Sequence, residues 1–207
     1  MVNVLLYISN GLIIISFIFY FLIILFNKKK ITNSDGFNVT KDILNEYDSI
    51  NIIETSSVFT TYNLKRKVIK ISSKCYYGNS ISDISIPLME AGISVVSNRF
   101  IDFIKKIISN LKCLYILPVV AVILNYVFSS TLDAKVGIFT LIIFSIISYM
   151  LINLRIEAVL WVSDKLKIKE KNDVISFLNK ILLLDKFIFL GELVMIIRFV
   201  AVILEFN

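Results

Sequence analysis

Four long apolar runs constrain this chain more than any other feature. They cover about residues 4–26, 112–130, 136–154 and 186–204, and each is long enough to cross roughly 30 Å of hydrocarbon as a helix. The rest of the composition agrees. Apolar residues make up 57% of the chain and charged residues 18%, with a mean hydropathy of +0.81, well outside the range of a soluble domain. The first run lacks a basic start and a small-residue cleavage site, and Lys28-Lys29-Lys30 follows it at once. It is therefore expected to stay in the bilayer as an anchor.

Charge placement orients the runs. Residues 27–113 carry 13 Lys/Arg and residues 155–186 carry 7, while the turn between the second and third runs has only Lys135 and the N-terminal tip has none. The positive-inside rule then predicts a multi-pass protein of the cell membrane with both termini outside and residues 27–111 and 155–185 in the cytoplasm. The net charge of +6 and the pI near 9.2 follow from this orientation. The partner they imply is the lipid bilayer, and no nucleic acid is expected. Cys75 and Cys113 both fall on the reducing side and form no C-x-x-C pair, so neither a disulfide nor a structural zinc site is expected.

Between the first and second runs lies a small helix-plus-sheet insertion, residues 27–111. Asn27 to Gly36 reads as a polar linker. Residues 40–47 read as a short helix with Thr40 as its N-cap. Residues 50–54, 58–62 and 67–72 have strand character, the last alternating apolar and polar residues. Asn63-Leu64-Lys65-Arg66 reads as a hairpin turn, and Tyr76 to Ser80 as a loop leading into a helix. Such a domain leans on the membrane and has no large core of its own. From Arg99 to Leu111 apolar residues recur at helical spacing. The segment either lies in the headgroup layer or packs on the soluble domain, and the second reading is the plainer one.

The chemistry-bearing motif is Pro87-Leu88-Met89-Glu90-Ala91-Gly92-Ile93. In H-E-x-x-H, two histidines one helical turn apart bind zinc and the glutamate between them acts on the metal-bound water. Here Glu90 stands at the glutamate position, but Met89 and Ile93 occupy the ligand positions, and the chain contains no histidine. Pro87 falls in the turn before Glu90, so this helix is either kinked there or begins there.

The order of elements resembles the small bacterial membrane zinc metallopeptidases of the YugP type over nearly the whole chain. Tyr62-Asn63-Leu64 is similar to that family's Y-D-P turn, and Val68 to Ser72 to its edge strand. Tyr77-Gly78-Asn79-Ser80-Ile81 is similar to its Y-H-G-x-S-L/I entry to the motif helix, without the histidine. Leu154-Arg155-Ile156-Glu157-Ala158 resembles its L-P-V-E-F segment, so the resemblance implies that Glu157 is the third metal-ligand position. Val159 stands where the family carries a supporting acidic residue. The fold this implies is an α-helical membrane protein of four transmembrane helices, with a small cytoplasmic α+β zincin-like insertion between the first and second.

The departures fall on the chemistry. A methionine thioether suits copper(I) better than zinc, and isoleucine cannot coordinate. No metal or other cofactor is therefore expected at Met89, Ile93 and Glu157, and Glu90 is a vestigial general-base position. No histidine can serve a serine nucleophile, and no G-x-S-x-G turn occurs. In the fourth run, Glu192 reads as lying near the cytoplasmic interface, whereas Arg198 lies deeper and needs a partner. The expectation is a non-catalytic binding or scaffold protein whose partner is a peptide, a membrane protein or a catalytic paralogue. Two alternatives remain: a divergent active membrane metallopeptidase that does hold zinc, and an unrelated membrane accessory protein.

Overall fold

The computed structural model describes residues 2–28, 30–47, 49–63, 66–97 and 131–205. The segment 99–111, the apolar run 112–130 and Cys113 lie outside the described residues. The described chain is mostly helical, with one small sheet. In order come α1 (Val2–Asn27), α2 (Gly36–Ile43), β1 (Asn51–Thr55), β2 (Thr61–Asn63), β3 (Val68–Ser72), α3 (Ser73–Tyr77), α4 (Ile81–Val96), α5 (Thr131–Lys165) and α6 (Lys171–Glu205). Two compact units divide them. One takes Met1–Tyr20, Leu111–Ile152 and Leu183–Asn207, the other Phe21–Asn110 and Asn153–Leu182.

In the first unit, α1, α5 and α6 contribute an apolar core of Ile13, Leu141, Met195, Phe199 and Val202. Their outer faces are apolar too: Tyr7, Ile18, Ile146, Ile197 and Leu204 are all exposed. A helix that is apolar on every side suits lipid rather than water. Two helical stretches, Val4–Asn27 and Leu141–Lys165, are long and apolar enough to cross a membrane. The run 186–204 is helical within α6.

In the second unit the sheet has order β1-β3-β2, with β1 parallel and β2 antiparallel to the central β3. Ile69 and Ile71 alternate onto one fully buried face of β3, and α4 packs on β2 and β3. The β2–β3 turn places Lys67 at φ 50°, the only positive φ among the described residues. There, Asn51 N–H donates to the Lys67 carbonyl at 2.9 Å and so starts the β1–β3 ladder.

Several boundaries differ from the sequence expectation. The helix expected from Thr40 begins at Gly36, because Asp35 accepts the Asn38 amide at 2.7 Å and caps it. Thr40 is interior, its hydroxyl donating to the Gly36 carbonyl at 2.6 Å. The expected loop 76–80 shrinks, since Ser72 caps a helical turn that runs to Tyr77. The motif helix neither begins at Pro87 nor waits for it. Ser80 accepts the Asp83 amide at 3.2 Å and donates to the Asp83 carboxylate, so α4 starts at Ile81 and Pro87 lies inside it. Pro87 cannot donate to the Asp83 carbonyl. Gly36 packs against that carbonyl so closely that a Cβ there would stand 2.9 Å from it. Residues 155–158, expected to follow the third run, are helical within α5, because Leu154, Ala158, Val162 and Leu166 form a buried i, i+4 stripe. The segment 155–185 is thus mostly the end of α5 and the start of α6, with 166–170 between them.

Candidate functional site

The motif residues lie on the second and third turns of α4, which is anchored by the Ser80 cap and pressed onto the sheet. Met89 and Ile93, one turn apart, are 7% and 4% exposed, and Leu88 and Ala91 beside them are fully buried. Both positions compared with the motif's metal ligands therefore belong to the apolar core of this unit. Glu90, on the neighbouring face, is half-buried. Its Oε2 accepts the backbone N–H of Tyr62 at 2.8 Å.

That bond gives Glu90 a definite task. Tyr62 is the middle residue of β2 and faces Ile69 across the ladder. Because its amide is given to Glu90, it points away from β3, along the open edge of the sheet. Glu90 thus accepts an edge donor of the sheet and ties β2 to α4. Sequence reasoning had no means of finding this partner, because a main-chain amide carries no residue signature.

Glu157 belongs to α5 and is exposed, but its neighbour Ala158 is fully buried. A Cβ on Gly92 would stand 2.7 Å from the Ala158 carbonyl oxygen and 2.9 Å from the Ala158 Cβ. The structure therefore brings α4 and α5 into backbone contact between Glu90 and Ile93 on one side and next to Glu157 on the other. Only glycine allows that approach. Val159, at the position of the family's supporting acid, is buried and apolar.

These residues do not fit a zinc ion. Tetrahedral zinc needs three protein ligands, usually imidazole, thiolate or carboxylate, around one open position. Here a thioether and an alkyl group are closed into the core, Glu90 is engaged with the Tyr62 amide, and Glu157 faces solvent. Among the described residues no group of three or more Asp, Glu or Cys could hold a metal ion. The buried Cys75 offers no activated thiolate, because burial pushes its thiol up. Tyr77, at the end of α3, donates its hydroxyl to Glu54 at 2.9 Å, and that carboxylate pushes the phenol up as well.

A second polar constellation lies in the other unit. Glu192 is 1% exposed, with Ser148 Oγ donating to its Oε1 at 3.1 Å and, among the described residues, no partner for Oε2. Its neighbour Gly191 meets Ile13 and the Ser9 carbonyl of α1, so α1, α5 and α6 converge there. Arg198 is buried, its guanidinium 5.2 Å from the centre of the Phe199 ring.

No protein-family model, no curated protein and no solved structure matches the chain.

Proposed function

We propose that this chain is a non-catalytic membrane protein built on the plan of the small membrane zinc metallopeptidases, acting as a binding or scaffold protein. On this reading four helices span the bilayer, both termini lie outside, and the α+β unit lies in the cytoplasm. There it engages a peptide, a membrane-protein segment or a catalytic paralogue without cutting it.

One observation carries the reading. Met89 and Ile93 are part of the core, while Glu90, in the place of a general base, uses a carboxylate oxygen to hold strand β2. A general base must reach a water or a substrate proton. This carboxylate is engaged with the main chain beside side chains that cannot bind a metal. The contact of Gly92 with Ala158 supports the family plan, because it brings the segment compared with L-P-V-E-F against the segment compared with H-E-x-x-H.

The test is the metal content of the detergent-purified full chain, measured beside a Glu157→Ala variant and a Met89→His/Ile93→His double variant. The expected result is no stoichiometric zinc in the natural chain and a gain of zinc when the histidines are restored. About one zinc per natural chain, lost in Glu157→Ala, would overturn the proposal and return the chain to the active metallopeptidases.

A further inference from the structure

The seam between α5 and α6 encloses polar atoms that the two helices do not pair. Glu192 and Ser145 are 1% and 6% exposed, and neither Glu192 Oε2 nor Ser145 Oγ has a hydrogen-bond partner among the described residues. Both atoms belong to the same seam. α5 presents Leu141, Ser145 and Ser148 on one stripe, and α6 presents Glu192, Met195 and Phe199 on another. Ser148 Oγ donates to Glu192 Oε1 at 3.1 Å, and Leu141 shares a core with Met195 and Phe199. Ser145 lies between these two contacts, one turn from Ser148, so its hydroxyl is held within the seam. α1 closes over α6 at Gly191, where a Cβ would stand 2.8 Å from Ile13 and 3.2 Å from the Ser9 carbonyl oxygen.

A carboxylate in an apolar bundle needs its charge balanced. Among the described residues no lysine or arginine stands at ion-pair distance from Glu192. α1 carries no charged residue from Val2 to Asn27, and Lys135 stands more than three turns before Ser148 on α5. Arg198 holds its guanidinium over the Phe199 ring, 5.2 Å from its centre. A proton would settle the charge, but it would make Oε2 a donor without an acceptor. A cation instead uses the lone pairs that are present, on Oε2, on Ser145 Oγ and on Ser148 Oγ. All of these donors are oxygen, the type that hard cations take. One carboxylate balances one positive charge, which selects a monovalent ion, and the close approach of α1 at Gly191 favours a small one.

We propose that Glu192, Ser145 and Ser148 bind a sodium ion within this helical unit. The inference goes beyond the binding-protein reading and does not use the comparison with metallopeptidases. It rests on the reading of α1, α5 and α6 as membrane helices. The ion joins α5 to α6 through oxygens from both and neutralises the one carboxylate in the seam. It also gives the acid a reason to be there. Packing alone does not call for one, since an apolar side chain of similar volume fills such a position at no loss of stability.

Thermal unfolding of the detergent-purified full chain in sodium, potassium or choline chloride, at equal ionic strength, tests this. Sodium at ten times its dissociation constant is expected to raise the midpoint above that in choline by roughly 3–6 °C. Potassium is expected to raise it far less. The shift should vanish in Glu192→Gln and weaken in Ser145→Ala, while both variants unfold close to the natural chain in choline. Reaction of Glu192 with dicyclohexylcarbodiimide, read by mass spectrometry of its peptide, gives a second measure on the unsubstituted chain. Sodium at the same concentration should slow that reaction about tenfold, by occupying the carboxylate. Equal midpoints in sodium and choline, or a reaction rate that sodium leaves unchanged, overturn the inference and leave Glu192 a protonated acid. So does a shift of equal size with potassium, or one that survives in Glu192→Gln. Recovery of the chain outside the alkali-washed membrane fraction would overturn the membrane reading, and the sodium site with it.

Discussion

Helix α4 in one unit and helix α6 in the other exchange the roles their sequences suggest. α4 carries the segment compared with H-E-x-x-H, yet Met89 and Ile93, set against that motif's ligand positions, are core residues. α6 carries an apolar run suited to lipid, yet it buries Glu192 against Ser148. A segment that can be compared with a metal-binding motif still packs as core where its residues are apolar. An apolar run, conversely, tolerates an acid where a neighbouring helix supplies a hydroxyl. Local composition thus describes the average environment of a helix and not that of each residue on it.

The comparison breaks most readily at Ile93. If that position is truly core, Ile93→Asp buries a charge without a partner and should cost about 3–5 kcal/mol. Denaturant unfolding of the detergent-solubilised chain would read this. A cost below about 1 kcal/mol would mean that the site is still open to water.

Gly36→Ala should come next. Its methyl would stand 2.2 Å from the Cys75 carbonyl oxygen and 2.9 Å from that of Asp83, both fixed main-chain atoms. Overpacking of this kind costs about 1–3 kcal/mol. Gly11→Ala on α1 meets nothing within 4 Å, and helix propensity alone should stabilise it by up to about 1 kcal/mol. The same substitution thus takes opposite signs in the two units, as the two unfolding midpoints would report.

Glu90→Ala should destabilise the α+β unit by about 1–2 kcal/mol by leaving the Tyr62 amide without its acceptor. Glu90→Gln keeps a carbonyl oxygen in place and should stay near the natural chain. Hydrogen exchange at Tyr62 would read the difference, rising in the alanine variant only. An equal effect of both substitutions would show that the charge of Glu90, and not its acceptor oxygen, matters.

The smallest effect is expected at the mirror position. Glu192→Leu removes a buried carboxylate that has one donor and an unpartnered oxygen. Such a replacement is neutral or stabilising, here by about 0–1 kcal/mol. A loss of several kcal/mol in thermal unfolding would mean that Glu192 clamps α6 to α5 and that the exchange of roles is one-sided.

Much of the architecture was legible. The apolar runs at 4–26, 136–154 and 186–204 fall within helices, and the strands expected at 50–54, 58–62 and 67–72 appear within a few residues. The misses have local causes. The helix expected with Thr40 as its cap starts one turn earlier, because Asp35 caps it through the Asn38 amide, a contact set by local backbone geometry. Of the two readings of Pro87, a start there is excluded, because the Ser80 cap begins the helix at Ile81. At the site, the sequence pointed to Glu90 and to the replaced ligands, but it could not reveal that Glu90 binds the main chain of β2.

The sequence by itself determined which segments are apolar enough to span, where positive charge accumulates and that no histidine is present to bind a metal. These are properties of residue identity summed over short windows. Only the tertiary structure decided that Met89 and Ile93 are core, that Gly92 admits Ala158, that Glu192 is buried and that Glu90 holds the Tyr62 amide. Each of these depends on two segments far apart in the chain, and distance in space is not encoded in the properties of either segment alone.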